Sequence, residues 1–159
     1  MRMFGSLGMV IGVVACVGCG GVEPQSGGWH YTEKVTQDGC HVKDTGFGDG
    51  GDFLLSNNGD GTFVIDPADS EAKFDCTLDG DDFECPTEVF EQVTAPGVAA
   101  VLRIRVSVAG TFGSSTEASG TRHGTASCEG SDCGLAESSL GTKFPCAIDT
   151  EFDSEARQP

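Results

Sequence analysis

The sequence predicts an all-β fold: a single small antiparallel β-barrel or sandwich, rich in hairpins and stapled by disulfides. Three observations carry this. From Trp29 onward apolar side chains recur with period two, the spacing that puts them on one face of a strand. Clusters of Gly, Asp and Asn interrupt these runs at short intervals and supply turn conformations. Six of the eight cysteines fall among the alternating runs, which in a chain of 159 residues points to a cross-linked domain from an oxidising compartment. No helical pattern exceeds two turns, and no repeat of fixed period is present.

The elements follow in order. Trp29, Tyr31 and Val35 share one face of a first strand, with His30 and Thr32 on the other. Phe53-Leu54-Leu55 and Phe63-Val64-Ile65 flank Asn57-Asn58-Gly59-Asp60-Gly61, a hairpin. A three-residue loop with Gly61 left-handed sets Phe53, Leu55, Phe63 and Ile65 on one face. Around Gly80-Asp81 a two-residue turn pairs Asp79 with Asp82, Leu78 with Phe83, Thr77 with Glu84 and Cys76 with Cys85. Leu102, Ile104, Val106 and Val108 form the buried face of a long strand, followed by a glycine-bearing break at Gly110 to Ser115. Ala118 to Cys128 reads as a strand of small residues, and Gly134 to Gly141 as one turn of helix. In the last strand Phe144, Cys146, Ile148 and Phe152 face inward.

The cysteines can be paired from these elements. Cys76 and Cys85 sit opposite each other at a position where Cα atoms approach to about 4.5 Å, within disulfide reach. Cys128 and Cys133 are neighbours along the chain, and exclusion leaves Cys40 with Cys146. That last bridge would join the first strands to the final one, as a closed sheet requires.

The N-terminus is an address. Met3 to Gly18 is an uncharged, mostly apolar run of 16 residues behind a single Arg2, too short and too glycine-rich for a spanning helix and suited to a signal peptide over 1–18. Its end, Val13-Val14-Ala15-Cys16-Val17-Gly18-Cys19, resembles the lipobox of bacterial lipoprotein precursors. The resemblance implies cleavage before a cysteine that then carries lipid. Cys16 fits the aliphatic pattern better. Cys19 leaves an even number of other cysteines and is the assigned lipid-attachment residue, with Cys16 the alternative. The residue after either is not Asp, which in that family goes with the outer membrane. Localisation in a bacterial cell envelope, anchored at the outer membrane, is therefore expected. Residues 19–28 are read as the anchor and a flexible tether, whose last nine residues span roughly 15 to 18 Å as a coil. The β domain is assigned to 29–155 and a frayed tail to 156–159.

Nine Lys and Arg against 25 Asp and Glu give a formal charge of −16, so nucleic acid would be repelled over most of the surface. Arg103 and Arg105 are the only closely spaced basic strand residues. His30, His41 and His123 fall in no spacing that binds metal or activates a nucleophile, and no catalytic residue, metal or cofactor is assigned. An EF-hand fails at Ser56 and Pro67, where the first and twelfth ligands should stand. Two acidic loops, with Asp44, Asp49 and Asp52 and with Asp79, Asp81 and Asp82, are better explained by turn geometry than as calcium cages. The short Gly27-Gly28-Trp29 is similar to the Gly-x-Trp that opens lipocalin-like barrels, and later motifs of that family are absent. It implies a ligand cavity, lined by residues such as Trp29, Phe63, Leu102 and Phe144.

Three functions are compatible with this reading. A non-catalytic structural or protein-interaction module of the envelope is expected first and needs a packed interior. A small-ligand barrel needs a cavity of several hundred cubic ångströms. A hydrolase needs a pocket that gathers a histidine with a carboxylate or serine.

Overall fold

The computed structural model describes residues 21–41, 49–68, 73–93 and 97–157. Eight strands run up and down in chain order: β1 (Gly27–Asp38), β2 (Gly51–Asn57), β3 (Thr62–Pro67), β4 (Phe74–Asp79), β5 (Asp82–Val93), β6 (Val101–Ser114), β7 (Glu117–Glu129) and β8 (Cys146–Ala156), with a helix α1 (Cys133–Leu140) between β7 and β8. All neighbours are antiparallel. The sheet closes because β8 returns to β1, with Trp29 opposite Ala156 and Glu33 opposite Phe152. Closure decides for the barrel over the sandwich and leaves no edge strand to template further pairing.

Local chemistry sets each hairpin. Gly80 takes the left-handed φ of 67° that the two-residue turn requires, so Asp79 meets Asp82, Leu78 meets Phe83 and Thr77 meets Glu84. In the β2–β3 hairpin the Asn58 amide donates to the Thr62 carbonyl at 3.0 Å, which makes Gly59-Asp60-Gly61 the loop, with Gly61 at φ 82°. Phe53, Leu55, Phe63 and Ile65 all turn inward. In β5 the register slips between Cys85 and Glu88, and Pro86, which has no amide to give to a ladder, falls in that bulge.

Three bridges staple the barrel: Cys40–Cys146, Cys76–Cys85 and Cys128–Cys133. The first ties the end of β1 to the start of β8, at the seam where the sheet closes. The second lies inside the β4–β5 hairpin, with Cα atoms 4.1 Å apart, and both its cysteines are buried. The third ties β7 to α1.

Several expectations need correction. The break at Gly110 to Ser115 is not one: β6 runs through to Ser114, and Gly110 is there because a Cβ would meet the Phe83 ring at 2.8 Å and the Ser119 carbonyl at 2.4 Å. The helix before β8 has two turns instead of one and ends on Gly141, left-handed at φ 68°. Phe144 precedes β8. Residues 21–26, expected in a free tether, lie against the barrel: the Val22 amide donates to Asp81 Oδ1 at 2.7 Å, the Gln25 amide to the Ser115 carbonyl at 2.8 Å, and Pro24 is buried. β1 begins at Gly27, two residues before Trp29. Ala156 belongs to β8, and the Arg157 amide donates to the Gly28 carbonyl at 2.8 Å, so the tail is held as far as Arg157.

The two ends of the barrel differ. At one end the turns 58–61, 80–81 and 115–116 and the strap 21–26 close over an aromatic layer of Trp29, Phe63, Phe83 and Phe112, with Phe83 and Phe112 centroids 4.9 Å apart. Trp29 is wholly buried, and its indole N–H is satisfied by the Gln25 carbonyl of the strap at 2.9 Å. The opposite end carries the longer connections and α1. There β2, β3 and β4 are only six or seven residues long, against 11 to 14 for the other strands, so one side of the wall is low.

Candidate functional site

Above the aromatic layer the barrel is not filled. A cavity of about 280 Å³ lies between the inner faces of the strands. Its walls are of two kinds. The β2–β5 side presents Phe53, Leu55, Ile65, Phe74 and Phe90, all from the inward phase of their strands. The β1–β8–β7 side presents charge.

On that side Glu33 of β1 and Arg122 of β7 line the cavity together with Phe152 of the intervening β8, and the buried Thr150 of β8 bonds to the same carboxylate. Glu33 of β1 has a side chain only 3% exposed, and its Oε2 accepts from Arg122 Nη2 of β7 at 2.7 Å. Its other oxygen, Oε1, accepts from Thr150 Oγ1 of β8 at 2.9 Å. Both carboxylate oxygens are thus engaged, and the charge of Glu33 is matched by a guanidinium, the condition for holding an ion inside a barrel. Tyr31 and Ser154 complete this side, and the Ser154 hydroxyl donates to the Ala118 carbonyl at 3.2 Å.

The histidines stand elsewhere. His30 Nδ1 is 2.8 Å from Asp52 Oδ1 on the outer face of β1 and β2, where both side chains are 43% exposed. Asp52 also takes the Arg157 guanidinium. The His30 hydrogen bond, aided by Arg157, holds the Asp52 carboxyl below the usual range. His123 Nδ1 lies 2.5 Å from Asp149 Oδ1, again outside. His41 is exposed, with a left-handed φ of 57°. No histidine lines the cavity. Arg103 is held by Glu91 and Glu129, each at 2.7 Å, and the Glu91 hydrogen bond foremost raises its already high pKa.

The acidic loops have work within the fold. Asp81 anchors the strap, Asp82 accepts from Thr111 Oγ1 at 2.6 Å, and Asp52 is paired as above; Asp44 lies outside the described residues. Among the described residues no group of three or more His, Cys, Asp or Glu is placed to hold a metal ion.

Of the four residues expected around a cavity, Phe63 lines it, while Trp29 lies in the layer beneath and Leu102 and Phe144 do not contribute. Glu33, Arg122 and Thr150 escaped the sequence reading. Glu33 shares the odd-numbered phase of Trp29, Tyr31 and Val35, and Thr150 the even-numbered phase of Ile148 and Phe152, so period two already pointed both inward. No protein-family model matches the chain, and no curated protein and no solved structure shows significant similarity to it.

Proposed function

We propose that the chain is a lipid-anchored protein of the bacterial cell envelope whose barrel binds a small, mostly apolar molecule without transforming it. The observation that supports this over a purely structural module is the cavity of about 280 Å³. A domain selected only to be rigid has reason to fill such a space with side chains, because unfilled volume forfeits the packing contacts that stabilise a core. The volume is at the lower edge of the roughly 300 to 1,000 Å³ usual for small-molecule sites, so the ligand is smaller than a typical drug. An up-and-down barrel of eight antiparallel strands is also an architecture that elsewhere holds one small ligand, a support by analogy of fold.

The anchor reading gives the barrel an orientation. With lipid on Cys19, two residues, Gly20 and Gly21, separate the anchored residue from Val22, whose amide is bonded to Asp81. The strapped end would then stand against the bilayer and the end bearing α1 would face away from it.

Calorimetric titration of the oxidised chain with short alkyl compounds of six to ten carbons tests the binding function. Saturable one-to-one binding is expected. It should be lost in Val106→Phe, which puts a ring into the cavity and raises the melting temperature. Equal binding by the wild type and this variant would remove the cavity from consideration as the site.

A further inference from the structure

We propose that the cavity selects an uncharged amphiphile, an apolar body of about eight carbons with a hydroxyl head, over the corresponding carboxylate or ammonium ion. This rests on the binding function proposed above and names the ligand class for the same cavity.

The polar wall is the reason. It carries one acid and one base, already joined: Glu33 Oε2 to Arg122 Nη2 at 2.7 Å, with Glu33 Oε1 taken by Thr150. The third charged residue at the cavity, Asp52, turns its carboxylate outward to His30 and Arg157. The interior is therefore balanced before any ligand enters. An anion or cation brought beside such a pair loses its water and gains no counter-charge of its own, which is the costly arrangement for a buried ion. The chain's charge of −16 adds repulsion for the carboxylate. A neutral head meets no such penalty, because carboxylate oxygens accept more than one hydrogen bond and a hydroxyl can donate to one. Phe53, Leu55, Phe74 and Phe90 cover the apolar body from the other side. At about 30 Å³ for each water-sized group, 280 Å³ holds roughly nine such groups, the size of octanol.

The experiment is a calorimetric comparison, at pH 7.5 on the oxidised full-length chain, of 1-octanol, octanoate and octylammonium, which share a body and differ in head. Octanol should bind at least tenfold more tightly than either ion. An ion that binds within tenfold of octanol overturns the assignment while leaving the binding function intact. Failure of all three to bind overturns the binding function itself. The variant Glu33→Gln keeps the side-chain shape and removes the negative charge of the pair, so the affinity of octanoate relative to octanol should rise at least tenfold. A ratio unchanged in folded E33Q, as judged by circular dichroism, would show that the head does not lie at this pair. Should E33Q fail to fold, the three-ligand comparison on the wild type decides alone.

Discussion

Glu33 on β1 and Arg122 on β7 meet at 2.7 Å across the inner face of β8, with Thr150 of that strand bonded to the same carboxylate. Three strands around the closure seam are thereby tied from the inside, while Cys40–Cys146 ties two of them at their loop ends.

Removing one member of this pair should be worse than removing both. Arg122→Met leaves Glu33 buried with the Thr150 hydrogen bond but no counter-charge and is expected to cost on the order of 3 kcal/mol in urea unfolding. Glu33→Leu combined with Arg122→Met should recover most of that loss. A double variant less stable than Arg122→Met would show that the pair holds the seam by more than mutual neutralisation.

The bridges should rank by the loop each closes. Cys40–Cys146 spans 106 residues and Cys128–Cys133 spans five. In the chain-entropy account their removal as Ala pairs costs about 5 and about 2 kcal/mol. Denaturant melts of the two double variants measure the difference directly, and peptide mapping without reductant checks the pairing.

Gly80 offers a test of turn chemistry free of packing effects. A Cβ there meets nothing within 4 Å, yet φ is 67°. Gly80→Ala should therefore cost about 1 to 2 kcal/mol through backbone strain alone. The cavity, on the other side of the aromatic layer, should be unaffected.

Acid should loosen the barrel in a definite direction. The carboxyls of Asp52, Asp60 and Glu137 are held below their ordinary range, foremost by hydrogen bonds from His30, Thr62 and Lys143 respectively. A folded-state pKa below the unfolded value means the contribution is full above the ordinary carboxylate range and disappears as pH falls through the lower folded value. Stability measured from pH 7 to pH 2 should decline on the acid side, and Asp52→Asn should shallow that decline. An equally steep acid limb in the variant would remove Asp52 from the account.

The anchor is tested by mass analysis of the mature N-terminus. Cys19→Ala should abolish lipid attachment, whereas lipid found on Cys16 in the wild type would overturn the choice between the two cysteines.

Much of the barrel could be read from residues in order along the chain. The phase of Trp29, Tyr31 and Val35, the Gly80-Asp81 turn with its cysteines in register, and the run from Leu102 to Val108 depend on a side-chain period of two and on left-handed glycine, both local properties. Those same rules misjudged Gly110, because glycine's role there is to admit the Phe83 ring from another strand, which no local signal distinguishes from a turn. They also misjudged Val22 to Ser26, whose composition suits a free tether and whose partners, Asp81, Ser115 and Asn57, are far along the chain.

The sequence by itself determined the strand phases, the hairpin registers and, through register, chain proximity and exclusion, the three disulfide pairs. Only the tertiary structure decided between barrel and sandwich, because both present the same alternation along each strand and differ in whether β8 meets β1. Only it revealed the cavity and its ion pair. An unfilled volume is the difference between what eight strands enclose and what their side chains occupy, and Glu33 and Arg122, 89 residues apart, become partners only when closure brings β1, β8 and β7 side by side.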